Sequence, residues 1–448
     1  MTGPAPACPL RSPRPLGALA WARAAWDNSA AIWWRGAFVE PIQVWPGPAR
    51  KILVPTAAPW VRQVLTSRAA SYEKGATARR AIAPLIGDAL FIAEGEEWRR
   101  QRHLFVPLLT HRSRLPDQVR RMVPAIDEGL DRWLAAPGGV LALEREATRL
   151  AADVMGRTLF DFALAPHGDL INDAFIDYQD SLGRPDLTAL LGLPDWLPRP
   201  GARRGRAAAA RLAGLADQVL AAPAGAPDGL LAHLRQAGSQ DPRQTGQMVR
   251  DQITMLLLAG HETTANTLCW AFYLLSRYPE ARARLEAEAE AVLGARLPEL
   301  GDLERLPYTR ALIDETLRLY PPIHMFSREP LEPDQFGRHR VPLGSLVVIA
   351  PWLLHRHHRY WRDPDQFRPE RFLEPGGRPR SRYAYIPFGA GTRVCPGASF
   401  ALTELTLILA LASRRMRLHL RPGHPVEPLG RLTLRPRPGL PMQLERRP

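Results

Sequence analysis

Between residues 95 and 160 the apolar positions recur every three or four residues, through EEWRRQRHLFVPLL and again through EATRLAADVMGRTLF. That period lines one face of a helix, so this segment is predicted helical. From Thr245 to Arg277 the residues are apolar almost all round, which predicts a long buried helix ended by Tyr278-Pro279. ARARLEAEAEAVLG and YTRALIDETLRLY predict two more helices, the second stopped by Pro321-Pro322, and ASFALTELTLILALASRRM predicts a strongly apolar one after Gly397. Alternating or β-rich stretches are few. PIQVWPGPARKILVP reads as two strands joined by a Pro-Gly turn, and FGRHRVPLGSLVVIAPW and RLTLRPRPGLPMQLER read as further short strands. TAAPWVRQVLTSR is expected to be a helix capped by Thr56, residues 221–247 a surface loop around a short helix, and the proline-rich stretch to residue 387 a meander. No internal repeat interrupts this order. The expectation is a mainly α fold with a small β domain: residues 1–40 form an N-terminal arm and first helix, and 41–448 a single large domain.

Composition narrows the class. With 46% hydrophobic and 23% charged residues over 448 positions, the chain has enough apolar side chains for a substantial core. Its three cysteines, Cys8, Cys269 and Cys395, are too few and too far apart for a disulfide framework or a zinc motif. A reducing, cytoplasmic setting is therefore expected. The apolar N-terminal stretch is broken by Arg23 and Asp27, and no run reaches the roughly 18 apolar residues of a membrane span, so no integral membrane anchor is expected. The net charge of +14 is carried almost wholly by arginine. No basic run is interleaved with aromatics, which argues against nucleic acid and leaves a basic face for an acidic protein partner.

The candidate chemistry starts at FGAGTRVCPG, residues 388–397. Cys395 sits in a glycine-rich loop just before a predicted helix, where amide N–H groups and the helix dipole favour a thiolate. The glycines allow a flat ligand to approach closely, and Arg393 offers a fork to a carboxylate. Together these features fit a thiolate metal ligand beside an acidic cofactor. The pattern Phe388-x-x-Gly391-x-Arg393-x-Cys395-x-Gly397 resembles the haem-binding signature of cytochromes P450, in which the cysteine is the iron's thiolate ligand.

Other motifs follow in that family's order. AGHETT, residues 259–264, resembles the distal helix. The resemblance implies that Glu262 and Thr263 serve proton delivery, and that Ala259 and Gly260 let the helix pass close over the haem. Glu315 and Arg318 of DETLRLYPP, with Arg371 of PERF, resemble the structural carboxylate–guanidinium network. Trp98, Arg102 and Arg328 match residues that hold haem propionates, and Phe388 and Gly389 lie in the haem loop. HRHH at 355–358 reads as an exposed, arginine-rich loop rather than a metal site. The resemblance covers nearly the whole chain and implies haem b, O2 as co-substrate, and electrons from NAD(P)H through a separate ferredoxin or flavoprotein. The implied reaction is oxygen insertion into a C–H bond of a hydrophobic small molecule, such as a fatty acid or terpenoid. A peroxygenase or isomerase on the same fold, and a non-catalytic haem sensor or carrier, are the alternatives.

Overall fold

Helices carry most of the chain in the computed structural model, which describes residues 6, 8, 11–46, 50–110, 112–186, 199–223, 229–240 and 246–447. The N-terminal part has α1 (Ala18–Asp27), α2 (Ala58–Arg62), α3 (Gly75–Ile86), α4 (Gly95–Thr110), α5 (Leu115–Leu134), α6 (Leu143–Met155) and α7 (Gly168–Gln179). It is followed by α8 (Ala202–Ala221), α9 (Leu230–Gln240), α10 (Gly246–Arg277), α11 (Pro279–Leu293) and α12 (Pro307–Leu319). The short α13 (Pro351–Leu354) and the long α14 (Ala398–Arg415) complete the set.

The order of burial explains the layers. α10 buries residues on every side along its 32-residue length, from Val249 to Leu275, so it runs through the core rather than over it. α6 packs along it, as do α8 and α12. α14 is likewise enclosed, from Phe400 to Ser413, and packs against α11, α12 and α5. The two helices therefore form the inner layer. More amphipathic helices such as α5 cover them, burying Val119, Met122, Ile126, Leu130 and Trp133 on one face.

The sheets are small and peripheral. Strands β1 (Ile42–Pro46), β2 (Lys51–Pro55) and β3 (Tyr72–Glu73) come first, with β4 (Val140–Ala142) beyond them. β5 (Phe326–Pro330), β6 (Asp334–Phe336), β7 (His339–Val341) and β8 (Leu346–Ile349) precede β9 (Met416–Leu420), β10 (Glu427–Gly430), β11 (Leu434–Arg437) and β12 (Pro441–Arg446). The main sheet has the order β1-β2-β8-β5-β3, with β2 and β8 parallel in the register Ile52↔Leu346 and the other pairs antiparallel. β4-β12-β9 form a second sheet, and β6–β7 and β10–β11 are hairpins. The mainly α fold with minor β structure is as expected.

Three local expectations change. Thr56 does not cap α2: its hydroxyl donates to the Glu40 carbonyl, and the cap position falls to Ala57, which offers no side-chain oxygen. The HRHH segment is not an exposed loop. His355, Arg356 and His357 are buried and only His358 is exposed, because Arg356 donates to the Leu319 carbonyl and lies over Trp352. α9 buries Leu230, Leu231 and Leu234, so the centre of 221–247 belongs to the core, while residues 224–228 and 241–245 lie outside the described residues. So does the Pro-Gly turn at 47–49.

Candidate cofactor site

The loop that carries Cys395 is closed on itself. The Cys395 N–H donates to the Phe388 carbonyl at 2.9 Å, and Gly389 and Gly391 adopt φ of 73° and 75°. At Gly391 the glycine is obligatory, since a Cβ would lie 1.7 Å from the Leu65 carbonyl oxygen. α14 begins three residues after the cysteine. Burial pushes the Cys395 thiol up, while the Gly397 N–H and the Arg102 guanidinium pull it down. Those opposing interactions are the ones that stabilise a thiolate once a metal removes the proton.

Protein surrounds both Cys395 and Lys74 on most sides, yet each keeps open surface. An internal crevice accounts for both observations. On α10, Ala259 is exposed and Gly260 and Thr263 are half-buried in the middle of an otherwise enclosed helix. The helix is unbroken there, and Thr263 Oγ1 donates to the Ala259 carbonyl at 2.9 Å. A Cβ on Gly260 would meet Met155 Sδ at 2.4 Å, so that glycine also permits α6 to pack against α10.

Beside the cysteine loop lies a cluster of cations. Arg102 donates to the Val394 carbonyl at 3.2 Å, and the guanidinium carbons of Arg102 and Arg393 lie 5.6 and 4.4 Å from the ring centre of Trp98. Arg393 pairs with Glu94 and donates to the Ala93 carbonyl at 3.0 Å. Arg328 is 9% exposed and makes no ion pair among the described residues. Burial, and then Arg393, bring its guanidinium down to about 10. Lys74 feels burial first and then both arginines, which lower its ammonium well below the usual range, against the opposite pull of Glu94. Arg328, Arg393 and Lys74 thus share one carboxylate, Glu94, with Arg102 as a fourth cation beside Arg393. Two propionates would neutralise most of the excess, so the residues present fit a haem.

This imbalance has a testable cost. Arg328→Met is expected to stabilise the haem-free chain by about 1 kcal/mol or more, because an uncompensated buried charge is removed. The same change is expected to weaken haem binding. Thermal unfolding of the haem-free protein and haem titration check the two halves separately.

Glu262 does not share the crevice with Thr263. Its Oε1 accepts from Gln179 Nε2 at 3.1 Å, Asn266 Nδ2 at 2.9 Å and the Thr433 hydroxyl at 2.9 Å. The adjacent acid and alcohol therefore face different surroundings, with Glu262 held between α7, α10 and the β10–β11 turn. The third motif is assembled completely. Arg318 forks onto Glu315 at 2.7 and 2.8 Å, and Arg371 Nε reaches the same carboxylate at 3.1 Å, all three fully or almost fully buried. Arg318 also donates to the carbonyl of His355, whose Nε2 accepts the Ile386 N–H at 2.9 Å. Burial and the Arg318 charge bring the His355 imidazole down to about 3, so it is neutral and free to accept. The network thereby ends two residues before Phe388.

The sequence reading missed several participants. Lys74 and Glu94 reach the site from short connecting segments without periodicity. Gln179 and Thr433 meet Glu262 from elements more than 80 residues away on either side. Glu404 of α14 is fully buried, its carboxyl raised well above the ordinary range by burial, and Thr264 donates to it at 3.4 Å. None of these carries a local sequence signal.

Comparison with known proteins gives a consistent picture. The family model for Cytochrome P450 matches residues 16–442. "Cyclooctatin synthase" of Streptomyces melanosporofaciens is 34% identical over 397 residues, covering 87% of this chain and 85% of that protein. "Cyclooctat-9-en-7-ol 5-monooxygenase" of the same organism is 34% identical over 398 residues, covering 85% and 83%. Among solved structures, the heme domain of cytochrome P450DA superposes with a TM-score of 0.82 at 22% identity, covering 99% of this chain and 98% of that one, a likeness of fold.

Proposed function

The chain belongs to the cytochrome P450 family, haem-thiolate monooxygenases, and from that membership we propose that it inserts one oxygen atom of O2 into a C–H bond of a hydrophobic small molecule. The observation that carries the reading is the pairing of an open Cys395 with an unbalanced cation cluster, in a chain whose central helix keeps open surface at Ala259. When bound, the haem supplies the dioxygen reduction and oxygen-transfer chemistry. The chain's own residues do the rest. Cys395 offers a soft anionic ligand supported by the Gly397 N–H and Arg102. Arg328, Arg393, Arg102 and Lys74 would bind and orient the propionates, with Trp98 packed beside two of the guanidiniums. Thr263 presents a hydroxyl to the crevice, and Glu262 holds a carboxylate one residue away.

Substrate character follows from the loop after α12. Ile323, Met325 and Phe326 are half-buried while His324 turns inward, its Nε2 2.9 Å from the Ser29 hydroxyl. An apolar lining of this kind suits a fatty acid, a terpenoid or a similar molecule. The second Streptomyces relative is named for oxygenating cyclooctat-9-en-7-ol, an alcohol, which supports a hydrophobic substrate.

Electrons come, in this reading, from NAD(P)H through a separate ferredoxin or flavoprotein in the cytoplasm. Among the described residues no helix is long and apolar enough to cross a membrane. A surface cavity of about 740 Å³ lies against the cysteine loop, lined by Arg62, Arg68, Arg382 and Tyr383. Its wall residue Thr66 would touch a Cβ placed at Gly391. A basic face there suits an acidic donor. The experiment is turnover of candidate hydrophobic compounds with O2, NAD(P)H and a ferredoxin–reductase pair. Hydroxylated product is expected, with a rate that falls as salt rises. Haem loading without any oxygenated product across fatty acids and terpenoids would count against the reading.

A further inference from the structure

The surface cavity beside the cysteine loop holds more positive charge than its walls neutralise. It opens between the end of α2, the helical turn Gln63–Ser67 that continues α2, and the loop at 381–383. Three arginines line it, and they differ in how they are satisfied. Arg68 is held by Glu332 at 2.6 Å and by Asp334 at 2.8 Å. Those carboxylates are otherwise taken by Ser71, Tyr72 and Gln63, at 2.6, 2.7 and 2.9 Å. Arg62 is exposed, and its guanidinium has no hydrogen-bond or ion-pair partner among the described residues. The acceptor of Arg382 among the described residues is the Tyr383 hydroxyl, at 3.0 Å, and its guanidinium lies over that ring. A phenol is a neutral acceptor, so Arg382 is also left without an anion.

Tyr383 registers the surplus. It is buried, and its hydroxyl donates to Thr66 Oγ1 at 3.0 Å. Burial pushes the phenol up, yet the Thr66 hydroxyl and the Arg382 and Arg62 charges outweigh it and leave the phenol below its ordinary value. Both guanidiniums therefore act on one point of the wall, Arg62 from α2 and Arg382 from the facing loop. Ser67 and Ser381 add hydroxyls, and the lining contains no carboxylate. A donor-rich, acid-free lining matches an anion with several acceptor oxygens, and phosphate offers more of them, in more directions, than a carboxylate does. A volume of about 740 Å³ is that of a pocket for a whole small molecule rather than a lone ion.

The same residues support the cysteine loop. A Cβ at Gly391 would lie 3.0 Å from Thr66 Oγ1, and the chain runs from Tyr383 to Ile386, whose N–H donates to His355. A ligand in the cavity would rest on side chains that hold this loop in place.

We propose that Arg62, Arg382 and Tyr383 form a binding site for the phosphate group of a small phosphorylated molecule, separate from the haem and its substrate. The site does not depend on the oxygenation reading. It would occupy the arginines that the reading offers to an acidic electron donor, so phosphate and donor compete for one face.

The test is titration calorimetry of the haem-loaded full chain with pyrophosphate and with phenyl phosphate, against sodium chloride of matched ionic strength. At least one probe is expected to bind, one molecule per chain. Arg62→Gln and Arg382→Gln are each expected to weaken it about tenfold, the loss of a charge-assisted hydrogen bond. Arg437→Gln, an exposed residue paired with Glu427, is expected to leave the affinity unchanged. Arg62 and Arg382 are both exposed, and should one variant fail to load haem the other carries the test. No binding by either probe, affinity retained in both variants, or an equal loss in Arg437→Gln would overturn the site. Arginine variants that impair ferredoxin binding, in a parent that ignores both phosphates, would assign these side chains to the donor alone. Phosphate binding by a parent whose haem lacks thiolate ligation would leave the site standing while the monooxygenase reading falls.

Discussion

Glu315→Ala is expected to yield little folded protein, and what folds is expected to be less stable by about 3–5 kcal/mol. The carboxylate is 0% exposed and is shared by Arg318 and Arg371, with the Arg368 N–H donating to it at 2.8 Å. Removing it leaves two guanidiniums facing each other in the interior with no anion between them. Their remaining acceptors are backbone carbonyls of His355, Pro364, Gln366, Arg362 and Asp363, which cannot neutralise charge. For a protein whose total stability is on the order of 10 kcal/mol, that loss is a large fraction. The damage also reaches the cofactor loop, because Arg318 fixes the His355 carbonyl and His355 fixes Ile386. Denaturant unfolding and soluble yield are the measurements. A variant as stable as the parent would show that the network is incidental.

Thr263→Ala is expected to separate electron consumption from product. The Thr263 side chain is half-buried on the side of α10 where Ala259 is exposed, and its hydroxyl donates to the Ala259 carbonyl, with no partner outside its own helix among the described residues. Deleting it should cost little stability. Positioned proton donors contribute on the order of a hundredfold to such steps, and a loss of that size in product per electron is expected. Thr263→Ser should restore most of it. The check is to measure product, NAD(P)H consumed and hydrogen peroxide released together. Equal product per electron in Thr263→Ala and the parent would remove Thr263 from the reaction.

What could be read from the sequence was what is local. Unbroken apolar runs located α10 and α14, which are enclosed nearly all round, and a run ended by Pro321-Pro322 located α12. The motif around Cys395 was readable because a glycine with positive φ, a cysteine and a helix start are all encoded within ten residues. Glu315 and Arg318 were readable for the same reason, lying one turn apart. Residues that depend on distant packing were not. His355 and Arg356 looked like an exposed basic loop, and only the Leu319 carbonyl and the rings of Trp352 and Tyr320 account for their burial. Glu262 was paired with Thr263 by sequence, yet adjacent positions on a helix point about 100° apart, and α7 and the β10–β11 turn receive its carboxylate instead. Lys74 became visible as a member of the cation cluster only once its surroundings were laid out.

The central claim is that Cys395 is the thiolate ligand of a bound haem. The measurement that tests it most directly is the absorption spectrum of the dithionite-reduced protein under carbon monoxide, taken beside that of Cys395→Ala. A strongly red-shifted Soret band in the parent, absent from the variant, is the expected result. A parent that binds no haem, or that shows the band of imidazole ligation, would contradict the assignment of Cys395 and every role that depends on it.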